Sequence, residues 1–153
     1  MSDPEARLAT LGLVLPAPVS PIANYVPFVR SGELVMISGQ VSADASGGIR
    51  GVVGDDLDLA AGQAAARLCA INLIAQMKIA CAGDLRRVRR VVKLCGFVQA
   101  AAGFVDIPKV INGCSDLMVE VFADAGRHAR SSVGVSSLPL GFAVEVDAII
   151  EAP

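Results

Sequence analysis

Apolar residues recur along this chain with two different periods, and the change from one to the other separates strands from helices. Alternation at every second position is typical of a strand with one buried face, and recurrence at every third or fourth position is typical of a helix. On this basis the sequence predicts, in order, strands over 25–30 and 34–39, a helix over 59–80, a strand over 88–98, a helix beginning near Pro108 and ending by Gly126, and strands over 129–137 and 142–150. The order β-β-α-β-α-β-β favours an α+β layer, with both helices packed on one face of the sheet.

Both predicted helices carry an apolar stripe at helical spacing. In the first helix we expect the buried stripe to consist of Ala64, Leu68, Ile71, Ala75 and Ile79, and in the second of Val110, Cys114, Leu117 and Val121. The cluster Asp55, Asp56 and Asp58 before the first helix favours a capped start, because carboxylates satisfy unpaired amides there.

The remaining segments are predicted to be a strand with two distinct faces and two irregular regions. The predicted strand over 88–98 places Val88, Val92, Leu94 and Val98 on one face and Arg89, Lys93 and Cys95 on the other. Prolines 16, 18 and 21 make residues 1–24 an irregular lead-in, because proline lacks an amide donor. Residues 42–56, rich in Gly, Ser and Asp, are typical of a loop. We expect a single domain over 1–153.

Composition adds an expectation about assembly. Hydrophobic residues make up 54% of the 153 positions and charged residues 18%, which is more apolar surface than a chain of this size easily buries alone. We therefore expect oligomerisation. A net charge of −2 provides no general attraction to nucleic acid or to an anionic membrane.

The same composition argues against several classes of protein. Polar residues interrupt every long apolar stretch, so no membrane span is predicted, and the N-terminal residues lack the apolar core of a signal peptide. Four cysteines without a CxxC pair and a single histidine predict no ordinary zinc site and no other metal centre. We expect a cytoplasmic enzyme with reduced thiols, or else a binding module.

Two charged residues stand out because they lie in apolar runs that are predicted to be strands. Arg130 presents a planar fork of donors that fits a carboxylate, and Glu145 lies between valines in the last strand. The pair indicates a pocket for a small acid. The alternative is that the two side chains pair with each other at a subunit interface.

Three further features have ordinary explanations that we prefer. The basic cluster Arg86, Arg87, Arg89, Arg90 and Lys93 is more typical of a solvated strand edge than of an RNA site, because no aromatic residues accompany it for base stacking. His128 lacks the setting of a nucleophile elbow, so we expect a solvated residue at a helix-to-strand junction. The cysteines fall mostly on apolar faces, where a thiol behaves as a small hydrophobe.

The motifs around these residues resemble those of one family. They are Tyr25, Ser38-Gly39-Gln40, Ala129-Arg130-Ser131, Leu138-Pro139 and Val144-Glu145-Val146. Together they resemble the RidA/YjgF proteins, often called endoribonuclease L-PSP, which include 2-imino acid deaminases. The resemblance implies a chorismate-mutase-like fold, a homotrimer, and ligand clefts between subunits.

The resemblance also implies roles for individual residues. Arg130 would grip the substrate carboxylate, Glu145 would position or activate water, and Tyr25, Ser38 and Gly39 would line the cleft. Ser132 departs from the family, because well-studied deaminases often have cysteine there. Asn112 is a candidate for a family asparagine, although its segment is longer than usual. The implied activity is hydrolysis of a 2-imino acid without a cofactor. The alternatives are a non-catalytic protein that binds small carboxylates and an endoribonuclease.

Overall fold

The computed structural model describes residues 3–18, 21 and 23–153. Its helices and strands are α1 (Pro4–Thr10), β1 (Phe28–Ser31), β2 (Leu34–Val41), α2 (Leu59–Ala80), β3 (Arg90–Gln99), α3 (Ile107–Phe122), β4 (Ala129–Val135) and β5 (Val144–Glu151). Short 3₁₀ turns cover Leu85–Arg87, Ala123–Gly126 and Pro139–Gly141.

Within these residues the strands form one mixed sheet in the order β1-β2-β5-β3-β4. Only the pairing of β3 with β4 is parallel, and α3 makes the crossover that a parallel pair requires. The other neighbouring strands are antiparallel. The predicted α+β sheet with its two long helices is thus confirmed, and strand β4 is left as one edge of the sheet.

Helices α2 and α3 cover one face of the sheet, and their apolar residues join those of the strands in one core cluster. The predicted stripe of α3 is confirmed, because Val110, Cys114, Leu117 and Val121 are all fully buried. The helix ends at Phe122 rather than at Gly126, since Ala123 takes a positive φ of 54° and a 3₁₀ turn follows.

The predicted bounds of α2 agree with the structure, and Asp58 caps the helix by accepting a hydrogen bond from the Ala61 amide at 2.8 Å. The predicted buried face is wrong except at Ala75, which is buried as expected. Ala64 and Ile79 are exposed, and the face that meets the core consists of Gly62, Ala65, Ala66, Cys69, Ala70, Leu73, Ile74, Ala75 and Met77. Apolar residues surround this helix on almost every side, so periodicity alone could not select the buried face.

The irregular lead-in predicted over 1–24 is wrong in its first part. Asp3 caps helix α1 by accepting a hydrogen bond from the Glu5 amide at 3.0 Å, and Pro4 occupies the first turn, where its missing amide costs little. Leu8, only 3% exposed, anchors this helix to the core.

Two strand predictions also need correction. Strand β1 begins at Phe28, so Tyr25 precedes it; the intervening Pro27 has no amide to contribute to a ladder. In β3 the core-facing residue is Val91 rather than Val92, because the register with β5 shifts between Val91 and Lys93 and the alternation shifts with it.

The opposite face of the sheet carries no helix of the described chain. Side chains alternate along a strand, so the residues between the buried positions lie on this face. They include the apolar residues Val29, Met36, Phe97, Val133 and Ile149, of which Val29 and Val133 are about half exposed. We call this surface the open face.

None of the helices in the described ranges has both the length and the apolar content needed to cross a bilayer.

Candidate active site

Glu145 lies on the open face, between the fully buried Val144 and Val146 of β5. Its carboxylate lines a cavity of about 210 Å³ together with Tyr25, Ser38 and Gly39. The structure therefore brings together four of the predicted site residues, which we call the glutamate half-site. Phe142, Leu140 and Gln76 also line this cavity.

A bulge gives the glutamate half-site its shape. The register between β2 and β5 shifts between Ile37 and Gln40, and Gly39 lies within the shift. A β-carbon at Gly39 would overlap the carboxylate of Glu145, so only glycine lets this carboxylate lie against the β2 backbone.

Ser38 fixes the segment that carries Tyr25. Its hydroxyl donates to the Val26 carbonyl at 2.7 Å, and its amide donates to the Pro27 carbonyl at 2.9 Å. Tyr25, 53% exposed, remains accessible at the mouth of the cavity.

The environment of Glu145 makes its carboxylate a stronger base than a solvated one. Burial raises the pKa of the Glu145 carboxyl, and the nearby charge of Asp147 raises it further. The pKa of Asp147 is also raised, chiefly by burial. A carboxyl group whose pKa approaches the working pH is a more effective general base.

Arg130 lies on the other face of the sheet and points toward α3. One terminal nitrogen, Nη1, donates to Asn112 Oδ1 at 2.8 Å and to Ser115 Oγ at 3.1 Å, and Nη2 donates to the Pro108 carbonyl at 3.3 Å. These bonds use three of the five N–H groups of the guanidinium. Among the described residues the Nε–H and one Nη2–H have no hydrogen-bond partner.

His128 extends this network and is not the solvated residue that the sequence predicted. Its Nδ1 lies 2.6 Å from the Gly126 carbonyl and therefore carries the proton, which leaves Nε2 to accept from the Ser115 hydroxyl at 2.9 Å. Burial lowers the pKa of His128, and the charge of Arg130 lowers it further. A neutral histidine thus orients the serine that holds the arginine.

Ser132 accompanies Arg130 on the face that α3 covers. It pairs with Gly96, whose β-carbon position would meet Ile111 of α3. Its hydroxyl oxygen is buried and has no hydrogen-bond partner in the described part of the chain. We call Arg130, Ser132, Asn112 and Ser115 the arginine half-site.

The two half-sites of one chain lie on opposite faces of the sheet. Arg130 is in register with Leu94 and Glu145 with Phe97, and these β3 positions are three residues apart. Residues an odd number apart in a strand point to opposite faces. Arg130 and Glu145 therefore do not pair within one chain.

Sequence reasoning missed Ser115 and Gln76 and left Asn112 unassigned. Asn112 and Ser115 are three residues apart, so they lie one turn apart on the same side of α3, next to its buried stripe. This spacing of two polar residues was the signal that could have identified them. Gln76 gave no signal, because a polar residue in a helix is usually solvated.

The basic cluster and the cysteines, which were the other candidates for a functional role, have ordinary explanations. In the basic cluster, Arg86 pairs with Asp84 at 2.8 Å and Arg89 with Glu33 at 3.2 Å. Cys114 is fully buried, and burial raises its pKa to about 12, which leaves too little thiolate for a nucleophile.

Comparisons with known proteins identify the family of the chain. Residues 5–150 match the family described as "YjgF/chorismate mutase-like, putative endoribonuclease". Protein TCP17 of Trypanosoma cruzi is 49% identical over 148 residues, covering 95% of this chain and 92% of that protein.

Two solved structures show the same fold over nearly the whole chain. The protein Atu1372 of unknown function from Agrobacterium tumefaciens has a TM-score of 0.92 at 48% identity, covering 98% of this chain and 92% of that one. A "putative endoribonuclease" from Shewanella oneidensis has a TM-score of 0.94 at 35% identity, covering 98% and 99%. The match along the sequence and the shared fold together show that the chain belongs to the RidA/YjgF family.

Proposed function

We propose that this protein hydrolyses 2-imino acids to 2-keto acids and ammonia, without a cofactor, at a site that two chains share. The observation that supports this most directly is the glutamate half-site, where a half-buried carboxylate with a raised pKa lines a small cavity. A general base in such a position typically accelerates a reaction by ~10²–10⁴-fold.

The reaction assigns a task to each half-site. Glu145 takes a proton from water as the water oxygen bonds to the imine carbon. The same carboxyl then passes that proton to the nitrogen, which gives a carbinolamine. In a second transfer it moves the proton of the new hydroxyl to the nitrogen as the C–N bond breaks, so that ammonia leaves and the C=O bond of the 2-keto acid forms. Arg130, already oriented by Asn112 and Ser115, holds the substrate carboxylate with its two unused N–H groups. The buried hydroxyl of Ser132, which is unpaired among the described residues, would donate to the same carboxylate.

A shared site requires an assembly in which one chain's arginine meets another chain's glutamate. We propose a homotrimer, because a ring of chains uses two different surfaces at each contact and the two half-sites lie on different faces. The apolar open face supports this proposal, since a neighbouring chain would cover it. Free cysteines, three of them buried, suit a reducing compartment, and we propose a cytoplasmic location.

Mixing two inactive variants tests the activity and the shared site together. Arg130→Ala and Glu145→Gln should each lose at least ~10²-fold in kcat/KM on freshly generated 2-iminobutanoate. When the two are dissociated and reassembled in equal amounts, about a quarter of the sites receive both intact residues, so about a quarter of wild-type activity should return.

Matched controls show whether these losses are specific. Arg67 and Glu33 are surface residues with partners far from either half-site, so Arg67→Ala and Glu33→Gln should keep full activity. Failure of the mixed assembly to regain activity, with each variant still folded and of native size, would contradict the shared site.

A protein that binds carboxylates without catalysis is the second candidate, and the preformed arginine half-site favours it independently of Glu145. In that case calorimetry would show binding of 2-oxobutanoate that Arg130→Ala abolishes, while wild-type protein of native size would hydrolyse no imine. The ion-paired basic cluster gives no comparable support for RNA cleavage.

A further inference from the structure

Gln76 is a buried polar residue whose hydrogen-bonding capacity is unused. Its side chain is 3% exposed, and among the described residues its carbonyl oxygen Oε1 has no hydrogen-bond partner. Buried polar groups are paired in the large majority of cases, so an exception needs a physical explanation.

The other buried polar residues of the described chain make the contrast plain. Ser42 donates to the Ile49 carbonyl at 2.8 Å and accepts from the Val144 amide at 3.3 Å. Gln99 donates to the Gly51 carbonyl at 2.9 Å and accepts from the Leu138 amide at 2.9 Å. Both side chains tie loops to the sheet. Gln76 makes no comparable hydrogen bond to the described residues, so a structural role does not account for it.

The position of Gln76 supplies the explanation. It projects from α2 to line the same cavity as Glu145, Ser38 and Gly39. It also lines an adjoining cavity of about 540 Å³, and the two cavities share Gln40 and Val41 as well. The unpaired amide therefore lies where a ligand held beside Glu145 would extend its side chain.

We propose that Gln76 binds the substrate's side chain and selects 2-imino acids that carry a hydroxyl or amide there. Oε1 is inaccessible in the free chain, so the side-chain amide turns toward the cavity when the ligand binds. Oε1 then accepts the ligand's O–H or N–H, and Nε2 donates to the ligand's oxygen. This inference rests on the proposed function, because it names the class of imine that the site prefers. An apolar side chain would leave Oε1 unpaired, and a site built to hydrogen-bond its ligand discriminates strongly against an analogue that lacks the partner.

Two matched pairs of substrates isolate this contact, because each pair differs only by a hydroxyl in place of a methyl group. An amino-acid oxidase generates the imines of serine and 2-aminobutanoate for the first pair, and of homoserine and norvaline for the second. For wild-type protein the hydroxylated imine of at least one pair should have the higher kcat/KM by about tenfold. In Gln76→Met, which keeps the length and removes the polar atoms, that ratio should fall to about one.

Stability and binding measurements keep the test decisive. Gln76→Met should unfold at the same temperature as wild type or higher, because an unpaired buried carbonyl is removed. If it does not fold, Gln76→Asn replaces it, because the shorter side chain moves the carbonyl away from the ligand and should lower the same ratio of kcat/KM values. Calorimetry then compares 3-hydroxy-2-oxopropanoate with 2-oxobutanoate as stable ligands. Tighter binding of the hydroxylated acid that depends on Gln76 would support the inference even if no imine were hydrolysed, which would refute only the proposed reaction. Hydrolysis without a preference for the hydroxyl, or a preference that survives Gln76→Met, would overturn the inference and leave the reaction standing.

Discussion

Replacing Gly39 by alanine should remove activity while leaving the fold intact. The new β-carbon would overlap the Glu145 carboxylate and would lie 3.0 Å from its Cδ and 3.2 Å from its Cγ, where ordinary contacts begin at 3.4 Å. The carboxylate must therefore move away from the β2 backbone. A misplacement of ~1 Å can cost ~10²-fold in rate, so we expect kcat on 2-iminobutanoate to fall by about that factor.

The stability of Gly39→Ala should change little. Glu145 is only partly buried, so its side chain can move aside. Alanine in place of glycine stabilises a compatible backbone by ~0.4–1 kcal/mol through the unfolded state. Chemical denaturation should place its free energy of unfolding within about 1 kcal/mol of wild type.

Gly96 provides a matched control, because it is also a strand glycine but faces the core. A β-carbon there would lie 2.6 Å from Ile111 Cδ1, a contact that costs ~1–3 kcal/mol in a packed core. Gly96 lies beside Ser132 of the arginine half-site and not beside Glu145, so Gly96→Ala should lose stability and raise KM, while kcat of its folded fraction stays nearly constant, the reverse of Gly39→Ala. If Gly39→Ala retained more than about a third of wild-type kcat, the assignment of Glu145 against this backbone as the proton acceptor would be refuted.

Two further predictions concern the charges around each half-site. Asp147→Asn removes the like charge that helps raise the pKa of Glu145, so the acidic limb of the pH profile of kcat/KM should move to lower pH; an unmoved limb would mean that another group controls it. The pKa of Asp147 is raised in the folded state, so ionisation of this carboxyl lowers the free energy of unfolding as pH rises. Asp147→Asn removes that loss and should be more stable than wild type at neutral pH, and the difference should vanish in acid. On the other face, Ser115→Ala removes one bond to Arg130 and its link to His128, so KM and the Kd for 2-oxobutanoate should rise about tenfold, with kcat nearly constant. The exposed Ser131→Ala is the control, and equal effects from both serines would show that the network does not position the arginine.

Local patterns in the sequence were enough to predict much of the fold. The bounds of α2, the buried stripe of α3 and the order of the long elements follow from periodicity and from breakers such as Pro108, because these signals act within one or two turns of chain. The motifs around Arg130 and Glu145 were enough to indicate the family. A charge within an apolar run is visible without any structure.

Only the tertiary structure decided how these residues are arranged. The sequence does not reveal which face of α2 is buried, because apolar residues surround that helix and packing against β2 and β5 makes the choice. It does not place Arg130 and Glu145 on opposite faces, since that depends on register across β4, β3 and β5. Nor does it show that Gln76 reaches the cavity beside Glu145, or that Ser115 and His128 hold Arg130. Each of these contacts joins residues that are distant along the chain or depends on how elements pack, and periodicity along one segment carries no information about its partners.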